Sequence, residues 1–149
     1  MLNKALLFAA VLSAACSHTP PTEAKRGIAS PRAPAPIGAY SQAIQIGNTT
    51  YLAGQIPLDP ASGQLIADGS IEAQTRQVLE NLRAVLTASG MTLDDVVSTQ
   101  VFVVDITEAP RMNAVYATYF QKLPPARVVV EVAQLPRSAR IEIAATAVR

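Results

Sequence analysis

The sequence predicts an α+β domain with two helices packed on one face of a β-sheet. Three observations carry that expectation: an amphipathic helix over Ile71–Ser89, a second helix over Ala109–Gln121, and short β-prone runs before, between and after them. The order is two strands, helix, strand, helix, two strands, with no internal repeat.

Each element has a local reason. Ala43–Ile46 and Thr49–Ala53 read as a hairpin, because Gly47-Asn48 between them supplies tight-turn chemistry. Asp59-Pro60-Ala61-Ser62-Gly63 reads as a loop. In the first helix Ile71, Thr75, Val78, Leu79, Leu82, Val85 and Leu86 form one stripe, Glu72, Arg76, Glu80 and Arg83 face away, and Gly90 ends it. Val96–Asp105 is rich in β-branched residues and reads as a strand. Pro110 suits the first turn of the second helix, whose buried stripe is Met112, Val115, Tyr116, Tyr119 and Phe120. Ala126–Val132 and Arg140–Val148 close the domain as two adjacent C-terminal strands.

Before Ile37 the chain changes character. Lys4 is followed by the small and apolar run Ala5–Ala15, too short for the roughly 20 residues of a membrane span but suited to a secretory signal. Leu12-Ser13-Ala14-Ala15-Cys16 resembles a bacterial lipobox, with Ser13 where leucine is usual; the plainer reading is cleavage after Ala15 with Cys16 a bystander. The expectation is an exported, periplasmic protein, lipid-anchored through Cys16, its only cysteine. Residues 17–36, rich in proline and alanine, read as a tether that also holds His18, the single histidine. Residues 37–149 are the folded domain.

Composition narrows the chemistry. Four basic residues and one acidic precede Ile37, for a charge of +3; the remainder has eight basic and ten acidic, for −2. A mildly acidic domain is a poor match to a nucleic-acid backbone. From Ile37 onward there is no histidine, cysteine or tryptophan, which removes Ser-His-Asp and Cys-His catalysis and zinc sites built on those ligands. Neither a Walker nor a Rossmann glycine spacing is present. Carboxylates, arginines, hydroxyls and backbone groups are left to do any chemistry.

Two charges stand inside apolar strands. In Ala126–Val132 a period of two puts Arg127, Val129 and Glu131 on one face; in Ile141–Ala145 the isoleucines face one way and Glu142 the other, beside Ala144, Thr146 and Val148. An arginine can fork onto a carboxylate and a glutamate can handle protons. An ordinary ion pair, Arg127 with Glu131 or Glu142, explains the pattern equally well.

Pro125-Ala126-Arg127-Val128-Val129-Val130-Glu131-Val132-Ala133, then Leu135 and Ile141-Glu142-Ile143, resembles the C-terminal signature of the reactive intermediate deaminase (RidA, formerly YjgF) family. Ile37-Gly38-Ala39-Tyr40-Ser41-Gln42-Ala43, Ala53-Gly54-Gln55-Ile56-Pro57, and Val101–Asp105 with Met112–Tyr116 agree in order and spacing. The resemblance spans Ile37 to the C-terminus. It implies a chorismate-mutase-like fold assembled as a homotrimer, with clefts between subunits. It implies hydrolysis of enamines and imines, such as 2-aminoacrylate and 2-iminopropanoate, to 2-keto acids and ammonia, with no metal or organic cofactor. Arg127 then matches the residue that grips the substrate carboxylate and Glu142 the one that positions the attacking water. Tyr40, Gly54 and Asn113 match substrate-binding positions. For these three, packing, backbone freedom and a helix-start role are the competing readings. Val129 stands where many relatives carry cysteine and Ala53 where serine is common, which bears on substrate range more than on reaction type. Non-catalytic binding of a small acid or a partner in the same cleft is the alternative function. Ribonuclease activity, attributed to some relatives, is weighed against by the acidic domain, and chorismate mutase activity rests on fold alone.

Overall fold

The computed structural model describes residues 23–149. The segment expected to be a secretory signal, Cys16 and His18 lie outside the described residues.

A six-stranded sheet carries two helices on one face. The strands are β1 (Arg26–Ile28), β2 (Ala43–Ile46), β3 (Thr49–Gln55), β4 (Val96–Val103), β5 (Ala126–Glu131) and β6 (Ile141–Val148); the helices are α1 (Ile71–Ala88) and α2 (Ala109–Tyr119). The α+β expectation holds, and so does each helix and strand read from the sequence, to within a few residues at the ends. Helix α1 begins where Ser70 Oγ accepts a hydrogen bond from the Ala73 amide at 3.2 Å. It stops at Gly90, whose φ of +80° permits the Met91 amide to reach back to the Leu86 carbonyl at 2.9 Å. The seven residues of its predicted stripe are all buried against the sheet.

Strand order is β1-β2-β3-β6-β4-β5. The two C-terminal strands are therefore neighbours in sequence but not in the sheet: β4 lies between them, parallel to β5 and antiparallel to β6. A parallel pair needs a crossover, and α2 supplies it between β4 and β5. Strand β6 alternates fully buried Ile141, Ile143, Ala145 and Ala147 with half-buried neighbours, the pattern of a central strand; β5 is exposed along most of its length and takes the edge.

The tether expectation is corrected over its second half. Arg26–Ile28 pairs antiparallel with Ala43–Gln45, and Ile28 and Ala33 are buried in the main core. Gln42 holds this stretch down. Its side-chain Nε2 donates to the carbonyls of Ser30, Ala33 and Pro34, the last at 2.7 Å, and its Oε1 accepts from the Ser30 amide at 2.5 Å. A side-chain amide thus satisfies backbone groups that the prolines keep out of a regular ladder.

The helix-free face of the sheet carries large apolar side chains. Ile46, Tyr51, Val128, Val130 and Val148 on this face are between 36% and 53% exposed. Among the described residues no helix is long and apolar enough to cross a membrane.

Candidate active site

Glu142 lies on the helix-free face of β6, beside Phe102 of β4 in register. Across from it on β3 the pairing slips between Leu52 and Gln55, a bulge that brings Gly54 against the carboxylate. A Cβ at position 54 would lie 2.8 Å from the Glu142 carboxyl carbon, so the absent side chain is what gives Glu142 its place. Ile37, Tyr40, Ala53, Gly54, Ile56, Pro136 and Glu142 line a cleft of about 300 Å³. Burial beside these apolar groups raises the Glu142 pKa from its ordinary 4.5. Tyr40 is half exposed, and its phenol oxygen accepts the Ile37 amide at 3.2 Å, which fixes the ring at the cleft mouth.

Arg127 lies elsewhere. Its register partner is Thr99 of β4, which is buried under the helices, so Arg127 belongs to the helix face of the sheet. Its guanidinium carbon stands 4.5 Å from the centroid of the Tyr116 ring. Asn113, Tyr116, Ala117, Phe120, Pro124, Pro125 and Arg127 line a second cleft of about 360 Å³.

The five domain residues singled out in the sequence thus fall into two groups: Tyr40, Gly54 and Glu142 in one cleft, Asn113 and Arg127 in the other. The two groups occupy opposite faces of one sheet with a strand between them, so within one chain they point apart. The ion-pair reading of Arg127 is also corrected. Glu131 accepts the Ile106 amide at 2.8 Å and caps the turn leading into α2, while Glu142 faces away. Arg140, close to Glu142 in sequence, donates from Nε to Glu108 at 3.0 Å.

Sequence reasoning missed several supporting residues. Gln74 Oε1 accepts the Arg140 amide at 2.8 Å, fixing the entry to β6 just ahead of Glu142. Asn81 Nδ2 donates to the carbonyls of Ile56 and Leu58 at 3.2 and 3.0 Å, pinning the loop that forms one wall of the Glu142 cleft. Both are polar residues on the buried side of α1, two turns apart, and that spacing was the available signal. Among the described residues no three His, Cys, Asp or Glu side chains converge as a metal cage.

Known proteins share both sequence and fold. The family profile described as Endoribonuclease L-PSP matches residues 30–149, a span that includes the segment latched by Gln42. A Mus musculus protein named 2-iminobutanoate/2-iminopropanoate deaminase is 45% identical over 125 residues, 84% of this chain and 92% of that one. A putative endoribonuclease from Thermotoga maritima superposes with a TM-score of 0.81 at 48% identity, covering 83% of this chain and 97% of its own. E. coli TdcF, solved with bound serine, gives a TM-score of 0.79 at 37% identity, covering 83% and 98%. The profile match over most of the chain, the relatives above 40% identity and the shared six-stranded fold make this chain a member of the RidA/YjgF family, described also as endoribonuclease L-PSP.

Proposed function

We propose that the protein hydrolyses small 2-imino acids to 2-keto acids and ammonium. In that reaction water adds to the imine carbon, the C–N bond then breaks, and R–C(=NH₂⁺)–COO⁻ with H₂O becomes R–CO–COO⁻ with NH₄⁺. The observation that carries the reading is Glu142: a half-buried carboxylate of raised pKa, set against a glycine in an apolar cleft. Such a group accepts a hydrogen bond from water and aims the water's lone pair at a bound electrophile. Arg127 takes the substrate carboxylate through two parallel hydrogen bonds. Tyr40 and Gly54 shape the Glu142 side and Asn113 the Arg127 side. The relatives named 2-iminobutanoate/2-iminopropanoate deaminase support the substrate class.

Because one chain holds the two groups on opposite faces, the working site joins the Arg127 cleft of one subunit to the Glu142 cleft of its neighbour. The apolar helix-free face supports such an assembly, and a homotrimer is the arrangement we propose. Keto-acid release is measured from freshly generated 2-iminopropanoate and several larger imines, with wild type, Arg127→Ala and Glu142→Gln. Loss of turnover in both variants is expected; full activity in Arg127→Ala would remove the clamp.

Non-catalytic binding of a small acid is the second reading. It is favoured by the serine bound to TdcF, a ligand with no C=N bond to hydrolyse. Calorimetric binding of keto acids without turnover of any imine would select it. For the N-terminal segment, export and lipid attachment at Cys16 are our proposal from the sequence pattern. Mass analysis of the mature N-terminus, with Cys16→Ser as control, decides between an acylated cysteine and simple cleavage.

A further inference from the structure

Arg127 is an exposed arginine on an edge strand, a setting in which a long side chain ordinarily samples many rotamers. Here it lies over an aromatic ring. We infer that Tyr116 is a positioning residue, an aromatic platform that holds Arg127 in the pose that receives the substrate carboxylate; the inference rests on the carboxylate-gripping role proposed above.

The platform is itself fixed by its place on α2, by β4 and by Phe120 just past the end of α2. Tyr116 comes from α2 and is 5% exposed. Its hydroxyl lies 2.7 Å from Thr99 Oγ1 on β4, and Thr99 is 1% exposed. Its ring packs at a tilt on Phe120, with centroids 4.6 Å apart. Thr99 is also the register partner of Arg127. The strand residue beside the arginine therefore anchors the ring beneath it, and a shift in one carries the other. Burial raises the Tyr116 phenol pKa above its ordinary value, with Thr99 and Arg127 opposing, so the hydroxyl keeps its proton and remains a hydrogen-bonding group.

The chemistry suits a carboxylate ligand. An aromatic face attracts a guanidinium through the ring's negative quadrupole. The five N–H donors of arginine lie in the guanidinium plane, so a ring over one face leaves the edge able to fork onto a carboxylate. Asn113, one turn earlier on α2, lines the same cleft and adds polar capacity to it. A purely structural Tyr116 would do no more than fill the core with Met112 and Phe120.

The test separates the two roles in the full chain. Tyr116→Leu removes the ring; Tyr116→Phe keeps the ring and loses the Thr99 hydrogen bond. The platform role expects Tyr116→Leu to raise KM for 2-iminopropanoate and Kd for 2-oxobutanoate about fivefold, the scale of a cation–π contact of about 1 kcal/mol, with kcat within about twofold. Tyr116→Phe is expected to stay within about twofold of wild type in all three, despite a lower unfolding midpoint. In an Arg127→Ala background, Tyr116→Leu is expected to change binding no further. If Tyr116→Leu does not fold, Tyr116→Met fills more of the ring's volume and carries the same expectation.

A folded ring-less variant with unchanged KM and Kd overturns the platform and leaves imine hydrolysis standing. If wild type turns over no imine but binds 2-oxobutanoate, hydrolysis fails and the platform is decided by Kd alone. If wild type does neither, both fall.

Discussion

Gly54 and Glu142 meet across the β3–β6 pair so closely that a side chain at position 54 would occupy the space of the Glu142 carboxylate. The bulge at Ala53–Gly54 and the missing Cβ together leave that carboxylate room at the cleft wall. Gly54→Ala should therefore act on Glu142 rather than on the fold. The obstructing atoms are the far end of a flexible side chain, which can swing aside at small cost in stability. Keto-acid release is expected to fall about 10- to 100-fold with the thermal midpoint nearly unchanged, because displacing a catalytic group by about 1 Å is enough for such a loss. An equal loss of midpoint and activity would mean that position 54 matters to the strand alone.

Glu142 also makes a prediction about pH. Burial raises its folded-state pKa, so the folded protein prefers the protonated acid. For a raised carboxyl the contribution to stability is fully present below the unfolded pKa and is lost as pH rises through the folded value. Glu142→Gln, which mimics the neutral acid, should then be more stable than wild type at neutral pH. The difference should shrink toward zero as both are brought to acid pH, as read from denaturant midpoints at several pH values. In activity the sign is opposite under the role proposed for Glu142, in which the carboxylate form holds the water. The acid limb of the wild-type rate profile should bend above 4.5, the ordinary value.

The elements whose burial follows their own periodicity were legible in the sequence. The α1 stripe and the alternation in β6 each encode one buried face, and the structure uses that face; the β2–β3 hairpin follows from the turn chemistry of Gly47-Asn48. What periodicity could not convey is which strand lies beside which. A period of two assigns Arg127 and Glu142 each to a face of its own strand; it does not relate the two faces until β4 is known to stand between them. Long-range polar contacts were equally hidden. Gln42, Gln74 and Asn81 reach backbone groups 8 to 66 positions away, and local spacing identifies no such partner. Tyr116 was legible as a buried residue of α2, but its contact with Arg127 depends on the parallel β4–β5 pairing.

The segment before Ile37 gives a prediction of its own. A chain beginning at Ile37 loses β1, the burial of Ile28 and Ala33, and every carbonyl that the Gln42 amide satisfies. Burying an isoleucine is worth about 1.5–3 kcal/mol, and a stranded buried amide costs about 1–3 kcal/mol. That truncation should be about 3–5 kcal/mol less stable than a chain beginning at Glu23. Gln42→Leu in the longer chain should reproduce about half of the loss. Equal denaturant midpoints for the two chain lengths would restore the tether reading of residues 23–36.

Strain at the cleft rim supplies the last prediction. Arg137 and Ser138 have φ values of 59° and 58°, consecutive non-glycine residues in the left-handed region. They follow Pro136, which lines the Glu142 cleft. A left-handed L-residue costs about 1–2 kcal/mol and is kept only where its surroundings over-determine it. Here the following residue does so: Ala139 is buried in a small cluster with Ile56 and Leu58, against Leu65 and Leu135, and its amide closes the turn on the Pro136 carbonyl at 3.2 Å. Ser138→Gly removes the steric penalty but adds the larger unfolded-state freedom of glycine, about 0.5–1 kcal/mol. The penalty is the larger of the two, so the variant should gain about 0.5–1 kcal/mol by denaturant unfolding. The cluster that fixes Ala139 is untouched, so Pro136 should keep its place and KM its value. A loss of stability instead would mean that the serine side chain holds the turn more strongly than its backbone strains it.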